Sequence, residues 1–387
     1  MIDYDKLIAR KCYDMKPSGI RRFFDLANAR EGVISLGVGE PDFQTPWNVR
    51  QAAISSLERG KTKYTANAGM VELKTAIADK IRKDTGVSYE PSDIIVTVGG
   101  SEGIDIAIRA LVDPGDEVLV VEPCFVCYAP IVSLSGGTPV ALETCAEDEF
   151  KLTASQLKSK ITDKTKMLIL PFPNNPTGAV MDRKDLEEIA EVLDGTDIIV
   201  LTDEIYSALT YGGEHTSIIQ IGDMAERTIY VNGFSKAYSM TGWRLGYVAA
   251  PTPLSKQMLK IHQYAIMCSP TVSQYAGIEA ITSCDSDIAK MRTEYDQRRR
   301  WLVKALNDIG LSCFEPRGAF YVFPSIQSTG LSSEEFCERL LNEHDVAVVP
   351  GNAFGDCGEG FIRISYAYSL KHIMTAVERI AEFIKTV

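Results

Sequence analysis

A lysine and an arginine eight residues apart are the side chains with the clearest chemical potential in this 387-residue sequence. Lys236 and Arg244 lie within residues 233–247, where glycine, serine, alanine and aromatic residues surround both. A lysine in such surroundings spends part of its time unprotonated, because desolvation and nearby cations lower the pKa of an ammonium group. The arginine is permanently charged and fork-shaped, which suits a bound phosphate. The pair therefore indicates a cofactor that carries both an aldehyde and a phosphate.

Pyridoxal 5′-phosphate (PLP) fits this pair, since it offers an aldehyde to the lysine and a phosphate to the arginine. A loop with a surface lysine and an arginine in an ion pair is the alternative interpretation of the same segment. The segment follows an apolar strand candidate at 228–231, so the residues that end the neighbouring strands must decide between the two.

Short apolar runs alternate with helical patterns through the first two thirds of the chain. Near-continuous apolar strands separated by helices predict a mainly parallel sheet that is covered on both faces. In such sheets, ligands bind at the carboxyl ends of the strands. The strand candidates are residues 93–98, 117–121, 139–142, 167–170, 197–202 and 229–231.

Polar and aromatic residues follow four of these strand candidates directly. Ser101 is a candidate N-cap for the next helix, and the glycines around it would expose N–H groups to a phosphate. Phe125 could stack on a flat ring. Asn175, held between prolines, could donate to a ring hydroxyl. Asp203 ends a buried strand and needs a partner, which a pyridinium nitrogen would provide.

Three other kinds of site find little support in the sequence. Asp203 and Glu204 resemble the magnesium-binding strand of P-loop NTPases, but the chain has no GxxxxGK[ST] motif. The glycines of 37–42 do not open a helix, so the dinucleotide-binding fingerprint fails. Cys124 and Cys127 have CxxC spacing without a second such pair or clustered histidines, so we expect packing rather than redox or zinc chemistry.

Composition limits the partners and the compartment. The net charge of -12 argues against nucleic acid or an anionic membrane as a main partner. The nine cysteines are odd in number and scattered, as is typical of reduced thiols. The first residues lack the apolar run of a signal peptide, and no stretch approaches the length of a membrane span. We therefore expect a cytoplasmic protein with no metal site.

The length favours two domains, and the pattern changes near residue 285. Beyond that point a long charged helix, short strands and a C-terminal helix predict a smaller α+β domain. A helix over 20–27 is expected to pack on it. The predicted division is 1–44 for an N-terminal arm and helix, 45–285 for a large domain and 286–387 for a small one.

Taken together, these residues resemble the PLP-dependent aminotransferases of fold type I, class I, the aspartate and aromatic aminotransferase family. The resemblance covers the chain from Gly19 to its C-terminus. Residues 233–246 fit the lysine signature of that class at every position, and the segments 63–69, 175–178 and 203–206 occur in the expected order. It implies an α/β fold: a large PLP-binding domain with a mostly parallel seven-stranded sheet between helices, plus the smaller α+β domain.

The resemblance also implies a role for each matching residue. Lys236 would form a Schiff base with PLP and then act as base and acid, while Asp203 holds the ring nitrogen. Asn175 and Tyr206 would hydrogen-bond the ring oxygen. Arg363 would grip the substrate α-carboxylate, helped by Gly37 and Asn175. Phe125 would stack on the ring, and the phosphate would be bound by Ser101, Glu102, Gly103, Ser235, Arg244 and, from a second subunit, Tyr64.

Two positions depart from the family pattern. Many relatives have Trp or Tyr where this chain has Phe125, so stacking here would be less polar. Many have a serine where this chain has Gly233, which removes one hydroxyl from the phosphate site.

The implied activity is transfer of an amino group from an L-amino acid to a 2-oxo acid, 2-oxoglutarate being the expected acceptor, by a ping-pong mechanism. Aspartate, aromatic or broad donor specificity all fit, because the sequence reveals no second arginine for a distal carboxylate. The helix that starts at 18–21, which in relatives closes over the substrate, is apolar and aromatic, and broad specificity is therefore the expectation. A homodimer with shared active sites is expected through Tyr64. A PLP-dependent carbon–sulfur β-lyase and a catalytically silent PLP-binding protein remain as alternatives.

Overall fold

The computed structural model describes residues 2–15, 30 and 32–387, and all elements named below lie within them. The strands are β1 (Ile34–Ser35), β2 (Ile94–Thr97), β3 (Glu117–Glu122), β4 (Thr138–Glu143), β5 (Thr165–Leu170), β6 (Ile199–Asp203), β7 (Thr228–Gly233), β8 (Gly246–Ala249), β9 (Tyr321–Val322), β10 (Val346–Ala347), β11 (Val349–Pro350) and β12 (Ile362–Ser365). The helices are α1 (Tyr4–Leu7), α2 (Arg10–Tyr13), α3 (Trp47–Glu58), α4 (Val71–Thr85), α5 (Gly99–Leu111), α6 (Tyr128–Ser135), α7 (Ala154–Lys160), α8 (Arg183–Leu193), α9 (Thr252–Ala265), α10 (Thr271–Ser283), α11 (Asp285–Asp308), α12 (Ser333–His344) and α13 (Leu370–Ile384).

A seven-stranded sheet with the order β2-β8-β7-β6-β5-β3-β4 forms the centre of the fold. All neighbouring strands run parallel except β8, which is antiparallel to both β2 and β7. The predicted α/β fold class is therefore confirmed. Strand β8 was absent from the predicted strands because its four residues continue the lysine-containing segment without a turn signal or a long apolar run.

Buried side chains cover both faces of this sheet, as the apolar strands predict. Within β3, Val118 and Val120 belong to the core on one face, while Leu119 and Val121 belong to the core on the other. This alternation follows from the two-residue period of a strand. Helices on both faces shield the sheet from water, and only the ends of its strands are left to form a polar site.

The C-terminal elements surround a separate core. Strands β11, β12 and β9 form an antiparallel sheet, and helices α11 and α13 contribute side chains such as Tyr295 and Ile373 to the same cluster. Near the N-terminus, β1 pairs in parallel with β10. Helix α11 is the predicted long charged helix, and α13 is the predicted C-terminal helix. The predicted helix over 20–27 lies outside the described residues, and the division at 44 and 285 stays a prediction.

The start of helix α5 differs from the prediction. Ser101 is not the N-cap, because the helix begins at Gly99 and Val98 occupies the cap position. The Glu102 side chain takes over the capping role from inside the helix, since its Oε2 accepts a hydrogen bond from the Val98 N–H at 2.5 Å. Ser101 is thereby left exposed on the first turn.

The close approach of two backbone segments requires glycine at position 246. Strand β8 pairs Gly246 with Thr97 of β2 and Gly233 of β7, so the turn after β2 lies directly against it. A Cβ at Gly246 would lie 2.5 Å from the Gly99 carbonyl carbon and 2.6 Å from the Gly100 nitrogen. Backbone atoms cannot yield as a flexible side chain can, so only glycine fits.

We therefore expect Gly246→Ala to lower the free energy of unfolding by about 1–3 kcal/mol through overpacking. Chemical denaturation of both proteins measures the difference. Gly213→Ala is the control, because a Cβ there meets nothing within 4 Å. Equal stability of the Gly246→Ala protein and the wild type would contradict the tight contact.

None of the helices in the described part of the chain combines the length and the apolar character needed to cross a membrane.

Candidate active site

A cavity of about 520 Å³ opens where the strands of the large sheet end, and residues of the C-terminal part close its other side. Asp203 ends β6 beside Val231 of β7, and Lys236 follows β7, so the sheet places the acid and the amine at one edge. The sequence-predicted residues that line this cavity are Ser101, Phe125, Asn175, Asp203, Tyr206, Ser235, Lys236, Arg244 and Arg363.

Four predicted residues do not line the cavity. The side chain of Glu102 turns away to bond Val98 and His262, and Gly103 is buried under Val248. Gly37 is buried nearby and touches the site only through its carbonyl. Tyr64 is 81% exposed, so this chain does not bring its ring into its own cavity.

The amine of Lys236 is enclosed by acceptors and aromatic rings. Its Nζ donates a hydrogen bond to the Gly39 carbonyl at 2.5 Å and lies 5.7 Å from the ring centres of both Tyr206 and Phe320. Burial lowers the pKa of Lys236 to about 8, and the positive charge of Arg363 contributes in the same direction. A far larger fraction of this amine than of an ordinary lysine is therefore unprotonated near neutral pH, which favours its action as a nucleophile.

A pH dependence follows for the protein freed of its cofactor. A lysine attacks an aldehyde only after Nζ has lost its proton, so the rate of PLP uptake should rise as the pH rises through about 8 and level off above it. Stopped-flow absorbance of PLP with the cofactor-free protein measures this rate. A rate that keeps rising until the pH reaches 10.5, the ordinary pKa of lysine, would contradict the lowered pKa of Lys236.

Asp203 has a donor on each carboxylate oxygen. Tyr128 donates its hydroxyl to Oδ2 at 2.8 Å, and the Ile205 N–H donates to Oδ1 at 3.2 Å. Burial raises the pKa of Asp203 to about 6, while the Tyr128 and Ile205 hydrogen bonds oppose that shift. The acid is thus held in one orientation and keeps its negative charge near neutral pH.

Tyr128 is a site residue that the sequence did not reveal. It begins helix α6, three residues after Phe125, and its ring meets that of Phe125 edge to face at 6.1 Å. The signal available was its helical spacing from Phe125. The contact with Asp203 joins residues 75 positions apart, which no local pattern encodes.

Arg363 on β12 is buried with its guanidinium only partly satisfied. Its Nη1 donates to Asn175 Oδ1 at 2.8 Å and its Nη2 to the Gly37 carbonyl. The guanidinium also lies over the rings of Tyr321 and Phe354, at 4.5 and 4.8 Å. Its Nε is buried without a hydrogen-bond partner among the described residues. A buried cation with a free donor is costly unless an anion binds beside it.

Tyr321 is a second site residue absent from the prediction. Its hydroxyl is 2.8 Å from that of Tyr206, and its ring lies under Arg363. Burial raises the pKa of both phenols, so both stay protonated and one of them can donate to a further oxygen atom. In the sequence Tyr321 lies in an aromatic run at 319–323, a pattern that is typical of core packing.

The other end of the cavity carries donors for an anion. Arg244 adopts a left-handed backbone conformation with φ of 52°, and its guanidinium lies over Gly99, where a Cβ would be 2.6 Å from Nη2. Nη1 donates to the Thr241 carbonyl at 3.1 Å. Ser101 and Ser235 line the same region, beside the N-terminus of helix α5. A helix N-terminus, an arginine and two hydroxyls suit a phosphate.

Comparison with known proteins decides the family. The sequence model of the family described as "Aminotransferase class I and II" matches residues 31–380. The chain belongs to this aminotransferase family. A relative from Bacillus subtilis, named only as an aminotransferase with no substrate given, is 54% identical over 371 residues, which is 96% of each chain.

Relatives and solved structures of this aminotransferase family match almost end to end. An aspartate aminotransferase of Pyrococcus abyssi is 46% identical over 96% of each chain. The crystal structure of an aromatic aminotransferase from Pyrococcus horikoshii has a TM-score of 0.90 at 45% identity, covering 94% of this chain and 99% of that one. The chain is therefore a PLP-dependent transaminase that acts on amino acids and 2-oxo acids.

The residues of the cavity fit PLP. A lysine with a lowered pKa faces the same space as a fixed carboxylate, and an anion site lies between Arg244 and helix α5. The guanidinium of Arg363 lines the same cavity and provides a site for a second anion. One aldehyde-reactive amine, one acid and two anion sites are the donor set that a phosphorylated aldehyde and a carboxylate substrate require.

Proposed function

We propose that this aminotransferase transfers the amino group of aspartate or of aromatic L-amino acids to 2-oxoglutarate in the cavity around Lys236. The observation that carries the proposal is Arg363, a buried cation that lines the same cavity as an amine whose pKa is about 8. The first group suits the α-carboxylate of an amino acid and the second suits an aldehyde.

Lys236 is the proposed nucleophile and proton carrier. PLP, when bound, supplies an aldehyde that takes up amino groups and a ring that withdraws electrons. Nζ of Lys236 has its lone pair free above a pH of about 8, so it can accept a proton from the substrate α-carbon and later return it. Its hydrogen bond to the Gly39 carbonyl gives the amine a defined position between these transfers.

Asp203 is the proposed partner of the PLP ring nitrogen. Tyr128 and the Ile205 N–H fix both carboxylate oxygens, so the acid offers a negative charge without having to reorient. Such a charge keeps a pyridine nitrogen protonated. Asn175 and Tyr206 are proposed to bind the ring oxygen, and Phe125 to cover one face of the ring.

The phosphate is proposed to bind at the N-terminus of helix α5. Ser101, Ser235 and Arg244 line that end of the cavity. The side chain of Glu102 is engaged elsewhere and Gly103 has none, so these two residues would contribute backbone N–H groups only. This arrangement combines the helix dipole with a permanent cation.

Arg363 is proposed to bind the substrate α-carboxylate together with Asn175 and Gly37. In this structure Asn175 and Gly37 accept from the two Nη atoms and thereby orient the guanidinium. A carboxylate in the cavity would replace these bonds at the two Nη atoms. A guanidinium that is already held in one orientation suits bidentate recognition of a carboxylate.

The donor preference is proposed to be broad. Among the described residues that line the cavity, the cations are Lys236, Arg244 and Arg363, and each already has a role. The remaining lining includes aromatic and aliphatic side chains such as Phe125 and Ile205. Relatives named aspartate aminotransferase and aromatic-amino-acid aminotransferase lie at similar identities, 46% and 44%, which supports both donor classes.

We also propose a cytoplasmic homodimer with shared active sites, and the domain division at residues 44 and 285. Tyr64 extends from a loop that is anchored on helix α10, since Thr271 donates to the Lys63 carbonyl at 2.8 Å and Gln274 to Thr65 Oγ1 at 2.9 Å. A rigid loop with an 81% exposed tyrosine suits insertion into a second subunit, where Tyr64 would reach the phosphate.

A half-reaction experiment tests the proposed function. The PLP-loaded protein is mixed with aspartate, glutamate, alanine, phenylalanine, tyrosine, kynurenine or cystathionine, with no oxo acid present, and the visible absorbance of bound PLP is followed. We expect stoichiometric loss of this absorbance with aspartate and with aromatic donors, and recovery on addition of 2-oxoglutarate.

Other outcomes would redirect the assignment. Release of pyruvate from cystathionine without loss of the absorbance would identify a carbon–sulfur β-lyase. No response to any donor would identify a silent PLP-binding protein. Loss of the absorbance with alanine or glutamate alone would still identify a transaminase but would exclude the proposed donors.

A further inference from the structure

A fully buried histidine joins the first turn of helix α5 to the loop that carries Tyr64. His262 lies on helix α9 with 0% exposure. Its Nδ1 is 2.6 Å from Glu102 Oε1, and its Nε2 is 2.9 Å from the backbone carbonyl of Asn67. No role in the proposed chemistry uses this residue, and it belongs to none of the motifs found in the sequence.

Both neighbours of the ring are hydrogen-bond acceptors. The Asn67 carbonyl can only accept, so Nε2 must donate to it. The second bond forms when Nδ1 also donates, or when Glu102 carries the shared hydrogen. In either arrangement a short bond joins Glu102 to His262. Both bonds of the ring depend on the fixed separation of its two nitrogen atoms.

The hydrogen-bond network connects two parts of the fold that belong to the proposed sites. On one side, Glu102 also accepts from the Val98 N–H, so it fixes the turn whose Gly100 and Ser101 line the cavity. On the other side, Asn67 lies in the loop 61–69, and its side chain donates to the Met267 carbonyl at 2.8 Å. Three hydrogen bonds thus run from the anion end of the cavity to this loop.

We propose that Glu102 and His262 are positioning residues that hold the phosphate end of one active site and the Tyr64 loop in a fixed relation. This proposal rests on the proposed function, in which the first turn of α5 binds the PLP phosphate and Tyr64 completes the site of a second subunit. The network then makes phosphate binding in the two sites of a dimer interdependent, because each loop is tied to its own subunit's phosphate site and serves its neighbour's.

His262→Gln tests this role with little change in volume. Glutamine carries its donors on a single nitrogen, so it cannot reach Glu102 and the Asn67 carbonyl from opposite sides as the ring does. One buried acceptor loses its partner, and the turn of α5 is free to shift. Glu102→Met keeps the length of the side chain but removes both acceptor oxygens, so it breaks the network from its other end. It serves if the first variant melts at a much lower temperature than the wild type.

The readout is the dissociation constant of the cofactor-free protein for PLP and for pyridoxal, which lacks the phosphate. We expect His262→Gln to weaken PLP binding by about tenfold or more, the effect of leaving one buried polar group unsatisfied. Pyridoxal binding should change by less than about twofold, within the range of a neutral substitution. A merely structural role would weaken both ligands alike.

His215→Gln is the matched control, since His215 Nε2 also pairs with a buried glutamate, Glu204, at 2.7 Å. That pair does not contact α5 or the loop 61–69 through any hydrogen bond among the described residues, so its ratio of PLP to pyridoxal affinity should equal that of the wild type. An equal loss for PLP and pyridoxal in both His262→Gln and Glu102→Met, or no loss in either, would overturn the proposal.

A double substitution tests the link to the loop. If His262 positions Tyr64, the effects of His262→Gln and Tyr64→Phe on the dissociation constant for PLP should not add, because coupled residues show an interaction energy. Additive effects would overturn the link. Wild-type protein that binds PLP no tighter than pyridoxal would instead refute the proposed phosphate site itself, so the two failures are distinguishable.

Discussion

Replacing Lys236 by alanine is expected to lower kcat for amino transfer by more than about 10⁴-fold, the largest effect of any substitution in this chain. The lysine is proposed to be both the nucleophile and the proton carrier, and proton transfer by a positioned side chain alone contributes about 10²–10⁴-fold. Steady-state transamination with the best donor measures kcat. Lys184→Ala is the control, because that lysine side chain is 86% exposed on helix α8.

A second variant separates charge from proton transfer. Lys236→Arg keeps a cation beside Gly39 but carries a group that does not lose its proton in proteins. We expect this variant to be as inactive as Lys236→Ala. Substantial activity in the arginine variant would mean that the lysine acts only as a charge, and the proposed proton transfer would then be wrong.

Replacing Arg363 by alanine should lower kcat/KM for a carboxylate-bearing donor by about 30- to several-thousandfold. Removing one partner of a buried, hydrogen-bonded charge pair costs about 2–5 kcal/mol, and every 1.4 kcal/mol is tenfold. The change also leaves the Asn175 side chain and the Gly37 carbonyl without their donor. Initial rates at varied donor concentration give this ratio.

The decisive control for Arg363 lies in the substrate. Phenylethylamine is phenylalanine without its carboxylate, so it cannot use the guanidinium. The wild type should strongly prefer phenylalanine, and Arg363→Ala should lose most of that preference. Arg363→Lys should regain only part, because a lysine ammonium lacks the bidentate fork. An unchanged preference in Arg363→Ala would place the α-carboxylate elsewhere in the cavity.

The residues at the strand ends were predictable because sheet topology follows from the sequence pattern. Apolar runs alternating with helices predict parallel strands, and parallel strands bring their carboxyl ends to one edge. Asp203 and Lys236 could therefore be placed together from sequence, and the structure has both lining one cavity. Asn175 and Phe125 follow the same rule from two further strands.

The residues that orient this set were not predictable in the same way. Tyr128 meets Asp203 across 75 positions, Tyr321 meets Tyr206 across 115, and His262 meets Glu102 across 160. Such contacts depend on how separate elements pack. The sequence alone does not distinguish an aromatic residue or a histidine that packs in a core from one that orients a residue of the site. The N-cap prediction at Ser101 failed for a related reason, since Glu102 supplies the cap from within the helix.

Electrostatics connects the two main predictions. Lys236 and Arg363 line the same cavity, and the charge of the arginine is the second cause, after burial, of the lowered pKa of the lysine. An anion bound at Arg363 would cancel part of that charge. Carboxylate binding and the basicity of the amine are therefore linked, which suits the proposed role of the amine as a proton acceptor once a substrate has bound.

Trapping the covalent link between PLP and the protein tests the central claim most directly. The PLP-loaded protein is reduced with borohydride, digested and mapped by mass spectrometry. We predict a single modified peptide that contains Lys236, and no modification when the protein is first saturated with an amino donor. Modification of another lysine, or no reducible link at all, would contradict the assignment of this cavity as the site of transamination.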